Sequence, residues 1–335
     1  MADMIEKYDR PYTYAVWSKD KEIRFCSTSG GAFTEFAKGI IEKQGVVVGA
    51  AYNDDNMVEH IMVNNVDDLE KIRQSKYISS SIGDVYLKVK EKLNDGVLVG
   101  FCGSPCQIAG LKSFLKKDYD NLITMDFICR GMNSPKALKS WLSEIEQLEG
   151  KKIARVWFKY KEGGWKSSPT RTRLDFDDGS YVVKDGEDNL FMKGYLTSNF
   201  YIRPSCGNCK FKGIPRKSDI TFADFWGIDE ILDDDKGTSM LLINTNNGNK
   251  LFQSIKESLY VNEKDFDSVI KGNPMLLSSA NVPLRGRDFL KDLDNMSFSE
   301  CFKKYSKESS IKKICKKIKM SRQRRDRRTG CFIAR

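Results

Sequence analysis

Residues 97–107 read Val-Leu-Val-Gly-Phe-Cys-Gly-Ser-Pro-Cys-Gln, and residues 122–131 read Leu-Ile-Thr-Met-Asp-Phe-Ile-Cys-Arg-Gly. Each opens with a short apolar run and breaks off at cysteine and glycine. Runs of this length and composition read as strands buried on both faces, the kind that lie inside α/β sheets. If the two strands run parallel, Cys106 and Cys129 both emerge at the carboxyl edge of the sheet, where α/β proteins hold their ligands.

Toward the N-terminus, residues 32–43 follow Ser29-Gly30-Gly31 with helical spacing, placing Phe33, Phe36, Ala37, Ile40 and Ile41 on one face. Gly45 ends that helix, residues 46–52 read as another buried strand, and residues 82–93 as a helix. Toward the C-terminus, Ser134-Pro135 starts a helix, with an N-cap followed by proline at the first helical position. Segments near 153–160, 170–175 and 180–184 have hairpin character, with Asp177-Asp178-Gly179 as the turn. Beyond residue 236 strand and helix return, and the chain ends in helices and a basic tail. The order implies an α/β (α+β mixed) fold: a mixed-sheet core with helices, a hairpin-containing middle region and a basic helical C-terminal tail. Residues 1–300 are expected to form one catalytic unit, with a subdivision near residue 150 left open, and residues 301–335 the tail.

Of the 335 residues, 40% are hydrophobic and 30% charged, as in ordinary soluble proteins. No apolar run reaches the 18 residues of a membrane span. The first residues lack the apolar stretch of a secretory signal, so the chain is expected in the reducing cytoplasm, where disulfides are rare. The net charge of +10 belongs to the tail: residues 303–335 hold fourteen Lys or Arg against two acids, which leaves the remainder at −2. A basic helix of this kind suits an anionic membrane surface, at which contact would be peripheral, or an acidic redox partner. No nucleic-acid-binding fold accompanies it, which argues against DNA or RNA. There is one histidine, His60, so a multi-histidine metal site is excluded and any histidine-dependent triad would need that residue.

Chemistry therefore falls to the nine cysteines, the other polar side chains or a bound cofactor. Besides Cys106 and Cys129, Cys206-Gly207-Asn208-Cys209 is a C-x-x-C pair whose spacing lets both thiolates reach one metal centre. Four thiolates from three segments suit a four-iron–four-sulfur (4Fe-4S) cluster or tetrahedral zinc. Taken singly, the C-x-x-C pair also fits a zinc ribbon or a redox dithiol, and Cys106 and Cys129 fit core packing. A zinc ribbon usually draws on two C-x-x-C knuckles, and this sequence has one.

The stretch Gly103-Ser104-Pro105-Cys106-Gln107-Ile108-Ala109-Gly110-Leu111, with Cys129-Arg130-Gly131, Ser218-Asp219-Ile220-Thr221 and Asp224-Phe225-Trp226-Gly227, resembles the coenzyme F420 hydrogenase/dehydrogenase beta-subunit family. Ser29-Gly30-Gly31, Ser75-Lys76-Tyr77 with Ser79, Gly163-Gly164-Trp165 and the Cys206/Cys209 pair extend the match, in family order, from about residue 12 to about residue 290. The resemblance implies FAD beside a 4Fe-4S cluster held by Cys106, Cys129, Cys206 and Cys209. It also implies electron transfer between a ferredoxin-like carrier, or a partner redox subunit, and a small-molecule substrate that exchanges hydride with the flavin. That substrate would be a deazaflavin coenzyme or, as in bacterial relatives found beside polysaccharide genes, a surface-polysaccharide-linked molecule.

No G-x-G-x-x-G follows a strand, so a Rossmann-type flavin fingerprint is absent. Ser29, Gly30 and Gly31 directly precede a helix whose free backbone N–H groups suit a pyrophosphate, although Ser-Gly-Gly also serves as a plain turn. Ser75, Lys76, Tyr77 and Ser79 are further expected cofactor contacts, Lys76 offering a cation and Tyr77 a ring. Arg216 would neutralise the cluster or a phosphate, and Asp224 would orient flavin or substrate; the alternatives are a surface cation and a helix-capping carboxylate. Arg130 stands where relatives commonly have His, and Ala223 where Gly is usual. No N-terminal ferredoxin-like segment with repeated C-x-x-C motifs is present, so electrons are expected from a separate donor. Two other readings stay open: a non-catalytic electron-transfer subunit of a larger complex, and a zinc-stabilised binding protein without flavin.

Overall fold

In the computed structural model, which describes residues 5–166 and 170–306, eleven strands form two sheets. The large sheet contains β1 (Lys7–Ser18), β2 (Val46–Tyr52), β3 (Val58–Val63), β4 (Val99–Cys102), β5 (Leu122–Phe127), β9 (Ile220–Asp224), β10 (Ser239–Thr245) and β11 (Leu259–Glu263) in the order β11-β1-β10-β9-β5-β4-β2-β3. The small sheet is the antiparallel meander β6 (Ile153–Phe158), β7 (Thr172–Phe176) and β8 (Tyr181–Lys184). The fold is the mixed α/β arrangement expected from the sequence.

Strands β2, β4, β5 and β9 are mutually parallel, while β9/β10, β10/β1, β1/β11 and β2/β3 pair antiparallel. The parallel strands are the continuous apolar runs, and they are covered on both faces. On one face the helix Ala32–Ile41 lies with the helix Asn246–Ile255 over Val47, Ile123, Met125 and Leu241. On the other, the helices Val85–Asn94 and Pro105–Leu115 bury Val89, Leu93, Ile108 and Leu111 against Val48, Val99 and Phe101. The helix Pro135–Glu149 starts at Pro135 as expected and packs its Leu138, Trp141, Leu142 and Ile145 against the small sheet and an aromatic cluster with Phe191, Tyr201, Phe289 and Phe298.

Strand β1 was not legible from periodicity, because Pro11 interrupts it. The register with β10 shifts between Lys7 and Tyr12, and this irregularity accommodates the proline. Among the described residues no helix is long and apolar enough to cross a membrane. The basic stretch beyond residue 306, with Cys315 and Cys331, lies outside the described residues.

Candidate functional site

Because β4, β5 and β9 are parallel, their carboxyl ends open onto one edge of the sheet, and there the chain encloses a cavity of about 560 Å³. This is the size of a cofactor or small-ligand site. Cys102 and Gly103 line it from the end of β4, Phe127 to Gly131 from the end of β5, and Phe222 to Asp224 from β9.

At one end of the cavity stands the N-terminus of the Ala32–Ile41 helix. Gly31 is its N-cap at φ +89, a left-handed conformation that favours glycine, and no side chain caps the first turn. Thr34 in that turn lines the cavity, and its buried Oγ1 has no hydrogen-bond partner. An uncapped turn with an orphaned hydroxyl is suited to an anion. The adjacent residues are committed elsewhere. The Gly30 N–H donates to Ser239 Oγ at 2.9 Å, and the Ser29 hydroxyl donates to the Thr238 carbonyl at 2.6 Å. A Cβ on Gly30 would stand 2.4 Å from the Val16 carbonyl oxygen, so this glycine is required by packing against β1.

Ser75, Lys76 and Tyr77 form a second wall. The Ser75 N–H donates to Thr28 Oγ1 at 2.7 Å, and the Lys76 ammonium donates to the Arg73 and Lys71 carbonyls at 2.6 and 3.1 Å. Burial pushes the Lys76 ammonium down to about 7. Tyr77 meets Phe158 edge-on at 5.2 Å, and burial raises its phenol. Ser79 is not a lining residue: its N–H donates to the Asn133 carbonyl, and its neighbours Ile78 and Ser80 face the space instead.

In the middle, Lys159 and Asp224 face each other across the wall, with Lys159 Nζ 2.6 Å from Asp224 Oδ2. The same ammonium lies 4.7 and 4.5 Å from the ring centroids of Trp165 and Trp226, which stack on each other. Lys159 has φ 55, a left-handed conformation that a bulky side chain adopts at a cost of about 1–3 kcal/mol, which the indole and carboxylate contacts must outweigh. Asp224 is thus neither a surface charge nor a helix cap. His60 lines the same space. Its ring stacks on Phe101 at 5.5 Å, its Nε2 is 3.2 Å from the Cys102 carbonyl and its buried Nδ1 has no partner. Burial outweighs the contacts to Cys102 and Ser81 and lowers the imidazole to about 4, so it is neutral at pH 7.

At the far end the cavity reaches Cys129, Arg130 and Gly131. The Lys212 ammonium donates to the carbonyls of Cys129 and Met275. Burial is the largest influence on the Cys129 thiol and pushes it up to about 12; Lys212 opposes this, while Cys206 and Cys106 act in the same direction as burial. Lys212 in turn feels Cys129, Cys209 and Cys206. Cys129 thus feels both Cys106 and Cys206, and Cys206 packs beside Gly131, two residues from Cys129. Cys106 is exposed at the start of the Pro105–Leu115 helix, with its Sγ 3.1 Å from Ser104 Oγ, while Cys206 is carried on the short turn Pro204–Asn208, directly before Cys209. Among the described residues no three Cys, His, Asp or Glu side chains stand close enough to hold a single metal ion. A four-iron cluster offers its irons at separate corners, so its thiolates stand farther apart than four ligands of one ion.

Arg216 does not reach the cavity. It is buried against Asp126 at 2.8 Å and Thr221 Oγ1 at 3.3 Å, as part of the interior of the sheet. The sequence reading missed Lys159, Trp165 as its support, Thr34 and His60. The usable signals were a lysine interrupting the run Val156-Trp157-Phe158-Lys159-Tyr160 beside Gly163-Gly164-Trp165, and a solitary histidine on the buried face of a strand.

Two family models of the coenzyme F420 hydrogenase/dehydrogenase beta subunit match the chain: the one for its N-terminal part over residues 13–86, and the one for its C-terminal part over residues 97–269. Among solved structures, the chain is similar to one in the F420-reducing NiFe hydrogenase complex from Methanosarcina barkeri, studied as a xenon derivative. The two are 18% identical with a TM-score of 0.55, over 87% of this chain and 91% of that chain, a likeness of fold. No curated protein matches the chain.

Proposed function

Because the chain belongs to the coenzyme F420 hydrogenase/dehydrogenase beta-subunit family and is thus a redox protein, we propose that it is a flavin- and iron–sulfur-dependent oxidoreductase. In this reading, residues up to about 300 act as one unit that holds FAD in the cavity and a 4Fe-4S cluster on Cys106, Cys129, Cys206 and Cys209. The observation that carries it is Cys129, which lines the cavity and feels Cys106 and Cys206, while Lys212 at its carbonyl also feels Cys209. One cavity thus runs from a thiol group to an uncapped helix N-terminus. The donor set fits: thiols are the ligands of iron–sulfur clusters, and Thr34 with the first turn of the Ala32–Ile41 helix offers donors for a pyrophosphate.

Bound there, the cluster would supply one-electron chemistry and the flavin two-electron chemistry, the protein setting position and electrostatics. Lys159, held by Asp224, Trp165 and Trp226, places a fixed cation at the cavity wall. His60 carries its ring proton on Nε2 toward the Cys102 carbonyl, which leaves Nδ1 as a buried acceptor. Phe33, Phe127 and Phe222 give the cavity apolar walls. The substrate is a small molecule that gives or takes hydride, a deazaflavin coenzyme or a polysaccharide-linked compound. A partner redox subunit is the second source of electrons to consider, because the similar fold occurs in a hydrogenase complex. Anaerobic purification followed by iron, sulfide, zinc and flavin analysis tests the reading. About four irons and one FAD per chain are expected, and a colourless zinc protein would overturn it.

A further inference from the structure

The chain around the cysteines is cationic. Residues 199–218, which carry Cys206 and Cys209, include Arg203, Lys210, Lys212, Arg216 and Lys217 and no Asp or Glu. Residues 271–287, with Lys271, Arg285 and Arg287, also lack acids. The two stretches lie against each other. The Cys209 N–H donates to Ser279 Oγ at 3.0 Å, the Gly213 N–H donates to the Leu276 carbonyl at 2.7 Å, and Gly207 packs on Val282.

Arg216 is neutralised by Asp126, and Lys212 spends its ammonium on two carbonyls. The other six cations are exposed, and none forms a salt bridge among the described residues. Interleaved with them are the exposed apolar side chains Ile214, Leu277 and Leu284, the last 91% exposed. Apolar contacts among unpaired charges of one sign are what a transient protein interface presents. The remainder of the chain outside the tail is close to neutral or acidic, so this charge is local. The chain's own tail, at +12, is repelled by such a face and is excluded as its occupant.

We propose that the surface formed by residues 203–217 and 271–287 is the docking face for an acidic protein electron carrier, steered by Arg203, Lys210, Lys217, Arg285 and Arg287 and seated on Leu277 and Leu284. That the partner is an electron carrier rests on the cluster reading above; the acidity of the partner rests on the charge of the face alone. Electrostatic steering of this kind raises association rates by about 10- to 1000-fold at low salt and fades as ionic strength rises.

The test titrates the full-length protein with a small acidic plant-type ferredoxin at low and high salt. It compares wild type with Arg203→Glu/Lys210→Glu, Leu284→Asp and a control of equal charge change, Lys90→Glu/Lys92→Glu, exposed on the helix Val85–Asn94. Iron and flavin are assayed on the same samples. The expected result is binding weakened about tenfold or more by the first two variants, with the salt dependence flattened in the charge variant, and little change in the control. If Arg203→Glu/Lys210→Glu lowers iron, Lys217→Glu/Arg287→Glu supplies the charge reversal away from the C-x-x-C pair. Equal loss in the control, no loss in any variant, or binding of phosphatidylglycerol vesicles in place of the ferredoxin overturns the proposal. A wild-type protein without iron would overturn the cluster reading, while the titration still decides whether an acidic protein docks on this face.

Discussion

Lys159 Nζ and Asp224 Oδ2 are 2.6 Å apart at the wall of the cavity, joining the end of β6 to the end of β9, one strand from each sheet. The ammonium is 5% exposed and the carboxylate 17%, so each depends on the other for compensation. Replacing only Lys159 with Met leaves a largely desolvated carboxylate without its counter-charge. The expected cost is about 3 kcal/mol, with Lys159→Met/Asp224→Asn recovering part of it. Urea denaturation of the two single variants and the double measures the coupling, and additive losses would show that the pair does not act as a unit.

The two parts of the Ser29–Thr34 region are separable. Gly30→Val would drive a side chain into the Val16 carbonyl oxygen and the Ser239 amide, so it should reduce soluble expression whatever the cavity binds. Thr34→Val is close to isosteric and removes a hydroxyl that has no partner in the protein, so the melting temperature should hold or rise. If that hydroxyl meets a flavin phosphate, FAD affinity should fall about 10- to 100-fold, the worth of one hydrogen bond to a charged group. Fluorescence titration of the flavin-stripped protein reads this directly. Unchanged affinity would remove Thr34 from the site.

The parts of this site that were legible in the sequence are those fixed by chain direction. Buried strands announce themselves as apolar runs, and once β4 and β5 are parallel, Cys106 and Cys129 must leave the sheet at the same edge. Contacts made across the fold left no such trace. Nothing local distinguishes Arg216, which turns inward to Asp126, from a surface cation, and nothing local pairs Lys159 with a carboxylate 65 residues away. Ser-Gly-Gly was legible as the entry to a helix. Whether its glycines served a ligand or a neighbour depended on β1 and β10, which pass beneath Gly30.

Arg216 and Asp126 give a sharp contrast with Lys159. Their side chains are 2% and 0% exposed, away from the cavity, and burial raises the Asp126 carboxyl while Arg216 opposes the rise. Arg216→Met should cost about 3–5 kcal/mol by leaving that carboxylate unpaired, and Asp126→Asn in the same chain should restore much of it. Variants that still fold should keep their flavin affinity. A specific loss of flavin at unchanged stability would return Arg216 to the binding site.

Substitution of Cys106, Cys129, Cys206 or Cys209 by Ser should lower iron content by more than half. Cys26→Ser should keep it, as should Cys301→Ala within the core between Phe298 and Phe302. Hydroxyl oxygen is a poor match for cluster iron, and a half-buried thiol outside the cationic neighbourhood has no part in holding it. Full iron loading after the Cys206/Cys209 double change would refute the assignment. Zinc retained by wild type and lost from the variants would favour a structural ion.

His60 supplies a pH signature with a defined sign. Burial lowers its imidazole from 6.5 to about 4, so the folded chain resists a proton that the unfolded chain accepts. Between those two values the unfolded state binds more protons, and stability therefore falls as pH drops through that window and is fully present above 6.5. The span is worth about 3 kcal/mol. Lys76, which lines the same cavity and whose ammonium is pushed down to about 7, titrates above the window, and the Cys102 thiol, pushed up to about 12, stays neutral throughout it. His60→Phe keeps a flat ring against Phe101 and removes both the titration and the unpartnered Nδ1. Urea midpoints from pH 7 to pH 4 should fall less steeply in the variant than in wild type, the two differing most at the acid end. Parallel curves would mean that the ring takes up its proton without penalty, and that the cavity around Nδ1 is wet or already supplies it with a partner.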